Sequence, residues 1–393
     1  MLKRAGLLTY TWDFVDEGVD TLLARIRDLG VTRISLTSLY HAGFFMHPHN
    51  PKRRTYLLED GVVYFHPNES RYSDSVIKPV VASMCKDTDW FGEICERASD
   101  VGLGVSAWMV CFHNTRLGLL HPDATIRNVY GDSYPHAMSP AHPDARAFVH
   151  AVAGDLAERY SLLSVMVEAP DYRSRLHGGT WVSGHHHERD GVYLRPLEKA
   201  LLDLSFNDAD VEQASNAGVD VERLRRAVRA HMDRYFDEAP TIPTDLPETI
   251  EQFAQDAPLA GYEAHMRRTE ETVLAELAQI VREHGVKLEG KASPSVDMAL
   301  SGGYGETPQR MAQLVAQTKR TLTADQELGF TVRMGYNHPG MGWAMQSEQD
   351  TCAAVRAIAD AGADEVLFYN YGEAPRRAID WIAPALQSAG FRG

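Results

Sequence analysis

What most constrains this chain is a rhythm of short apolar runs that read as strands, with amphipathic helices standing between most of them. GLLTYTW (6–12) reads as a strand, VDEGVDTLLARIRDLG (15–30) as a helix ended by Gly30, and TRISLTSLY (32–40) as a second strand. After a long polar segment (41–88), the helix DWFGEICERASDVG leads to the strand GVSAWMVC (104–111). After another such segment (112–141), the helix HPDARAFVHAVAGDLAERY leads to SVMVEAPDY (164–172). Four more strand-like runs follow: VKLEGKA (286–292), VDMALSG (296–302), FTVRMGY (330–336) and EVLFYNYG (365–372). Helical segments follow the last three.

Strands that alternate with helices return parallel to one another, because each parallel return needs a crossover. Eight such units close into a (β/α)8 TIM barrel, and 393 residues accommodate one with an insertion. An open doubly wound sheet is the other arrangement with this alternation. It calls for a glycine-rich phosphate turn after the first strand, which TWDFVDEG does not supply. The expected organisation is a first half-barrel over residues 1–172, a His-rich loop and helical insertion after strand 4 over 173–285, and a second half-barrel over 286–393. The insertion would cover one side of the barrel mouth, and its last helix would serve as the barrel's own fourth. One step is irregular: SPS, between strands 5 and 6, is too short for a helix, so a crossover is missing or a strand is misassigned.

A net charge of −15 with 39 basic residues argues against nucleic acid as a partner, since counterion release needs clustered Lys and Arg. No apolar run reaches the roughly 20 residues of a membrane helix, and MLKRAGLLTYTWDF lacks the features of a signal peptide, so no membrane partner and a cytoplasmic setting are expected. Cys85, Cys95, Cys111 and Cys352 form no CxxC pair and read as reduced thiols. The 17 histidines and 16 tyrosines, many of them between the strand-like runs, suit a polar pocket with aromatic walls. Amphipathic helices carrying Met232, Tyr235, Phe236 and Leu259 could pack on a second subunit in a homo-oligomer, although an intrachain core is the simpler reading.

In a barrel of this kind the C-terminal strand ends and the loops after them form the site. Strand 1 then delivers Trp12 and Asp13; strand 2 Tyr40 and His41; strand 3 Trp108, His113 and Asn114; strand 4 Glu168 and Asp171. Strand 5 delivers Glu289 and Lys291; strand 7 Tyr336, Asn337 and His338; strand 8 Tyr369, Asn370 and Tyr371. Period-two alternation sends Val165 and Val167 towards the helices and Ser164, Met166 and Glu168 inward. By the same rule Thr9, Thr11 and Asp13, then Lys287, Glu289 and Lys291, then Arg333 and Asn337 face inward. Charges on an inner face are costly unless paired, so a structural network of Glu289 with Lys291 and Arg333 competes with a catalytic role for Glu289.

Carboxylates among aromatic rings and hydrogen-bonding side chains suit a carbohydrate. Glycoside cleavage needs one carboxylic acid to protonate the leaving oxygen and a second carboxylate as nucleophile or base. Glu168 is the candidate acid; its partner lies among Glu289, Asp13 and Asp171. The succession GLGVSAWMVCFHNTRLG, SPAHPDARAFVHAVAGDLAERY, VMVEAPDY and FYNYG resembles the glycoside hydrolase-like (β/α)8 barrel proteins, a largely uncharacterised bacterial family. The resemblance covers the barrel portions and implies a barrel with an acidic residue, here Glu168, at the end of strand 4. Many retaining glycosidase barrels similar to it have Asn-Glu there and a Glu at the end of strand 7; this chain has Val167 before Glu168, and MGYNHPG at the second place.

Other chemistries remain open. No cofactor is expected, but a divalent metal could be held by His41, His47 and His49 or by His185, His186, His187, Glu188 and Asp190 in a metal-dependent sugar isomerase, epimerase or lyase. Lys291 could form an imine if desolvated, and a sugar-binding barrel without catalysis is a further reading. Arg116 with His113 could grip the carboxylate of an acidic sugar. The glycines of SGGYGETP read as a turn.

Overall fold

The computed structural model describes residues 1–173, 191–335 and 347–392. Eight parallel strands close on themselves: β1 (Arg4–Thr9), β2 (Arg33–Tyr40), β3 (Gly104–Val110), β4 (Ser164–Glu168), β5 (Lys287–Lys291), β6 (Met298–Gly302), β7 (Glu327–Arg333) and β8 (Glu365–Tyr369). β1 pairs with both β2 and β8, with Gly6 opposite Arg33 on one side and Leu367 on the other, so the barrel has no open edge. The two-residue strand Val62–Val63 pairs with the mouth end of β2 and, through Val80–Val81, extends the sheet there.

Most strand residues are buried, and alternation sorts their side chains into two cores. Ala5, Leu7, Ile34, Leu36, Val165, Val167, Leu288, Phe330, Val366 and Phe368 pack outward with the surrounding helices. Leu8, Tyr10, Trp108, Met166 and Leu367 belong to a separate inner cluster. The phase of β1 therefore differs from the expected one: Gly6, Leu8 and Tyr10 face the axis. Its cause lies in a neighbour, since a Cβ on Gly6 would come 2.7 Å from Glu365 Oε1. Only glycine leaves room for that carboxylate.

β1 also stops sooner than GLLTYTW suggested, because Thr11–Glu17 is helical. The Tyr10 N–H donates to Asp13 Oδ2 at 2.9 Å, satisfying a donor at the helix start. Gly18, at φ +93°, breaks this helix from the next, Val19–Asp28. Between β5 and β6 the described chain has no helix, and both strands are real. Their register runs from Glu289 opposite Met298 to Lys291 opposite Leu300, a span so short that the intervening residues return without one.

From β4 the chain passes through helices Pro196–Leu202, Asp208–Asn216, Val221–Glu238 and Ile250–Asp256 before the long helix Leu259–Arg282. These share a second core, in which Leu197, Leu224, Val228, Met232, Tyr235, Leu259 and Tyr262 are buried. Met232, Tyr235 and Leu259 are thus covered within the chain, while Phe236 is exposed. The long helix serves both cores: Leu259 and Tyr262 pack in the insertion, and Val273, Leu277 and Val281 pack on the barrel. No helix among the described residues is long and apolar enough to cross a membrane.

Asp210 ties the insertion to the barrel. Tyr172, just past β4, donates its hydroxyl to Asp210 Oδ1, and Ser139 and Ser205 donate to Oδ2 at 2.8 and 2.6 Å. Burial pushes this carboxyl up to about 6, against the lowering effect of those hydrogen bonds. A raised folded-state pKa means that the protonated acid stabilises the fold. That contribution is complete below the unfolded value near 3.9 and is lost as pH rises to about 6, on the order of 3 kcal/mol. In urea titrations, the stability deficit of Asp210→Asn relative to the parent protein is expected to shrink between pH 4 and pH 6.5. A deficit that is constant or widens over that range would contradict the assignment.

Candidate active site

At the mouth end of β4, Glu168 Oε2 accepts a hydrogen bond from the indole Nε1 of Trp108, on the adjacent β3, at 2.8 Å. Ala169 follows at φ +54°, a left-handed conformation that alanine adopts only at a cost, and it turns the chain away directly after the carboxylate. Burial raises the Glu168 pKa above the usual carboxylate range; the Trp108 hydrogen bond and the Arg173 charge offset this only in part. Arg173 itself pairs with Asp171.

A second carboxylate stands past β8. Glu373 Oε1 accepts the Tyr10 hydroxyl at 2.8 Å and Asn370 Nδ2 at 3.2 Å, and the Glu373 N–H donates to Asn370 Oδ1 at 2.9 Å. Arg333, ending β7, brings Nη2 to 3.6 Å from Glu373 Oε2. The Tyr10 ring stacks on Trp12 at 4.3 Å and on Trp108 at 5.6 Å. Tyr40 meets Trp108 edge-on at 5.0 Å, and Tyr304 lies 5.3 Å from Tyr369. Burial first, with smaller contributions from neighbouring groups that include Glu168 and Glu373, raises the phenol pKa values of Tyr40 and Tyr369.

Several expected site residues are engaged otherwise. Trp12 is fully buried, and its Nε1 donates to His47 Nε2 at 3.1 Å. That contact leaves the proton on His47 Nδ1, which donates to the Gly372 carbonyl at 3.0 Å. Asp13 is buried against Gly372 and holds the Tyr10 N–H; burial and the charges of Glu17, Asp16 and Glu373 push its carboxyl well above the ordinary range. Asn114 caps the helix Thr115–Leu120 through Leu117 N at 2.9 Å and donates to the Gly61 carbonyl. Arg116 Nε donates to the Asp60 carbonyl at 2.7 Å. Lys291 is exposed. His41 and His113 come together with ring centroids 4.5 Å apart, and Tyr369 and Asn370 stand at the mouth as expected. Tyr336, Asn337 and His338, and the histidines at 185–187, lie outside the described residues.

Glu289 lies level with Met166, two residues short of Glu168, and its side chain turns to Arg33 instead of the mouth. Arg33, at the start of β2, grips it with Nη2 to Oε1 at 2.7 Å and Nη1 to Oε2 at 2.9 Å, and grips Glu365, the first residue of β8, through Nε at 2.5 Å. Ser164, the first residue of β4, donates to Glu289 Oε2 at 2.8 Å. All three ionic side chains are essentially inaccessible to solvent. Burial alone would lower the Arg33 pKa, but the two carboxylates outweigh it and raise it. A structural network of Glu289 was foreseen, but its partners are Arg33 and Glu365 rather than Lys291 and Arg333. Arg33 is 256 positions from Glu289 and 332 from Glu365, and only barrel closure brings them together.

Sequence reading missed Glu373, Tyr10 and Arg173. A signal for Glu373 existed: it directly follows FYNYG (368–372), in the loop after a barrel strand.

No protein-family model matches the sequence, and neither does any curated protein. Solved structures match in fold. A β-galactosidase from the psychrophilic Marinomonas ef1 aligns with TM-score 0.56 and 14% identity over 99% of this chain and 60% of its own. The α-L-fucosidase isoenzyme 2 of Paenibacillus thiaminolyticus aligns with TM-score 0.53 and 13% identity over 99% and 49%. The PgaB (BpsB) glycoside hydrolase domain of Bordetella bronchiseptica aligns with TM-score 0.51 and 13% identity over 99% and 98%. The chain thus spans about half to three fifths of the first two proteins and nearly all of the third domain. At these identities the likeness shows the fold, a barrel that glycoside hydrolases also use.

Proposed function

We propose that this protein is a glycoside hydrolase acting on a small glycoside or oligosaccharide, with Glu168 as the general acid. The observation that carries the reading is a carboxyl of raised pKa, held by an indole N–H at the mouth of an aromatic-lined barrel. A raised pKa keeps the proton on Glu168 nearer neutrality, where it can pass to the glycosidic oxygen as the bond to the anomeric carbon breaks. Tyr304, about half exposed, and Tyr369 offer ring faces to a sugar. The glycoside hydrolases that share this barrel support a carbohydrate substrate. Four free cysteines fit a reducing, cytoplasmic setting. The test is hydrolysis of a panel of aryl glycosides and oligosaccharides by the protein and by Glu168→Gln.

A metal-dependent sugar isomerase, epimerase or lyase is the competing reading, and the His41–His113 pair is what favours it. Among the described residues, no three His, Cys, Asp or Glu side chains converge as a ligand set. Dialysis against EDTA is accordingly expected to leave the hydrolytic rate within about twofold. Loss of activity that returns with a divalent cation would favour the competing reading.

A further inference from the structure

We propose, building on the glycoside hydrolase reading, that Glu373 is the second carboxylate of the reaction and works on the face of the anomeric carbon opposite the Glu168 acid. Placement is the first argument. In the closed sheet the order runs β1, β8, β7, β6, β5, β4, β3, β2, so β4 and β8 are separated by the same number of strands in either direction. Glu168 ends one and Glu373 follows the other, placing them on opposite sides of the mouth.

The second argument is how they are held. Trp108 and Tyr10 are neighbours in one stack, their rings tilted by 24°. The Trp108 indole donates to Glu168, and the Tyr10 hydroxyl donates to Glu373. Two adjacent rings thus aim their donors at two different carboxylates. Asn370 adds a hydrogen bond to the same Glu373 oxygen and binds the Tyr10 hydroxyl at 2.8 Å, so one carboxylate oxygen is anchored. The other oxygen faces Arg333. The three acids that the sequence offered as partners are committed elsewhere: Asp13 to the Tyr10 N–H, Asp171 to Arg173 and Glu289 to Arg33.

In the reaction, the Glu168 proton moves to the leaving oxygen as its bond to the anomeric carbon breaks. The electron pair that replaces that bond comes from Glu373 itself or from a water that Glu373 deprotonates. Either its oxygen bonds the anomeric carbon, and water later cleaves the ester while returning a proton to Glu168, or it takes a proton from a water whose oxygen forms the bond. In both cases the new bond forms on the face that Glu373 occupies.

The experiment uses the whole chain with an aryl glycoside that the parent protein hydrolyses. Glu373→Gln, close in shape, is expected to lose about 10³-fold in kcat/KM while keeping the parent's thermal unfolding midpoint, and Glu373→Ala to lose as much but to unfold at a lower midpoint, because the buried Tyr10 hydroxyl loses its acceptor. Azide added to Glu373→Ala is expected to restore turnover and yield a glycosyl azide whose anomeric configuration is opposite to the substrate's. Glu373→Gln retaining more than a tenth of the parent activity would overturn the proposal and leave the hydrolase reading standing. A folded, inactive Glu373→Ala that azide does not rescue, or an azide product that keeps the substrate's configuration, would overturn it in the same way. A parent protein that cleaves no glycoside in the panel overturns the hydrolase reading, and Glu373's role with it.

Discussion

Glu168→Gln is expected to lower kcat/KM for an unactivated glycoside by about 10³-fold while leaving the unfolding midpoint unchanged. Glutamine keeps the shape and can still accept the Trp108 hydrogen bond through its amide oxygen, but it has no proton to give. The loss therefore depends on how much the leaving group needs protonation. A nitrophenyl glycoside, whose phenolate departs readily, is expected to lose far less than an alkyl glycoside or oligosaccharide, and this contrast separates loss of the acid from a general disturbance of the site. The pH profile supplies a second readout. Because burial raises the Glu168 pKa, the alkaline limb of the parent profile is expected above the ordinary carboxylate range, and it is expected to vanish in the glutamine variant. Equal losses on good and poor leaving groups would contradict the assignment.

The largest effect on stability is expected at Arg33. Arg33→Met keeps much of the volume but leaves Glu289 and Glu365 buried without their shared cation, and this costs about 3–5 kcal/mol. Such a loss is a large fraction of the roughly 5–15 kcal/mol that holds a typical protein folded, so urea denaturation measures it directly. The network lies away from the mouth, so the variant that remains folded at low temperature is expected to keep the parent's kcat. Arg4 offers partial relief, since its Nε lies 3.3 Å from Glu365 Oε2; among the described residues Glu289 has only Ser164 besides Arg33. A stability loss under 1 kcal/mol would mean that the two carboxylates take up protons at little cost once the arginine is gone.

Much of the barrel was legible in the sequence because strand periodicity and helix amphipathicity are local properties. Val165 and Val167 had to face helices, and that alone sent Met166 and Glu168 inward. A carboxylate closing an apolar strand, followed by Ala169 and Pro170, was likewise visible as a residue not chosen for a core. Local pattern failed in β1, where AGLLTY is apolar in both phases; space around Glu365 decides between them through Gly6. It failed again at Trp12 and Asp13, which a strand reading carried to the mouth but a helix start took up.

By itself, then, the sequence determined the class of fold, the order of its strands and the position of Glu168, because these follow from spacing along the chain. Which charges pair, and what holds Glu373, were decided only by the tertiary structure. Arg33 meets Glu289 and Glu365, and Tyr10 meets Glu373, across separations that chain spacing does not encode. Closing the barrel brings its ends together, and the cost of an unpaired charge or hydroxyl in that interior then selects the partner.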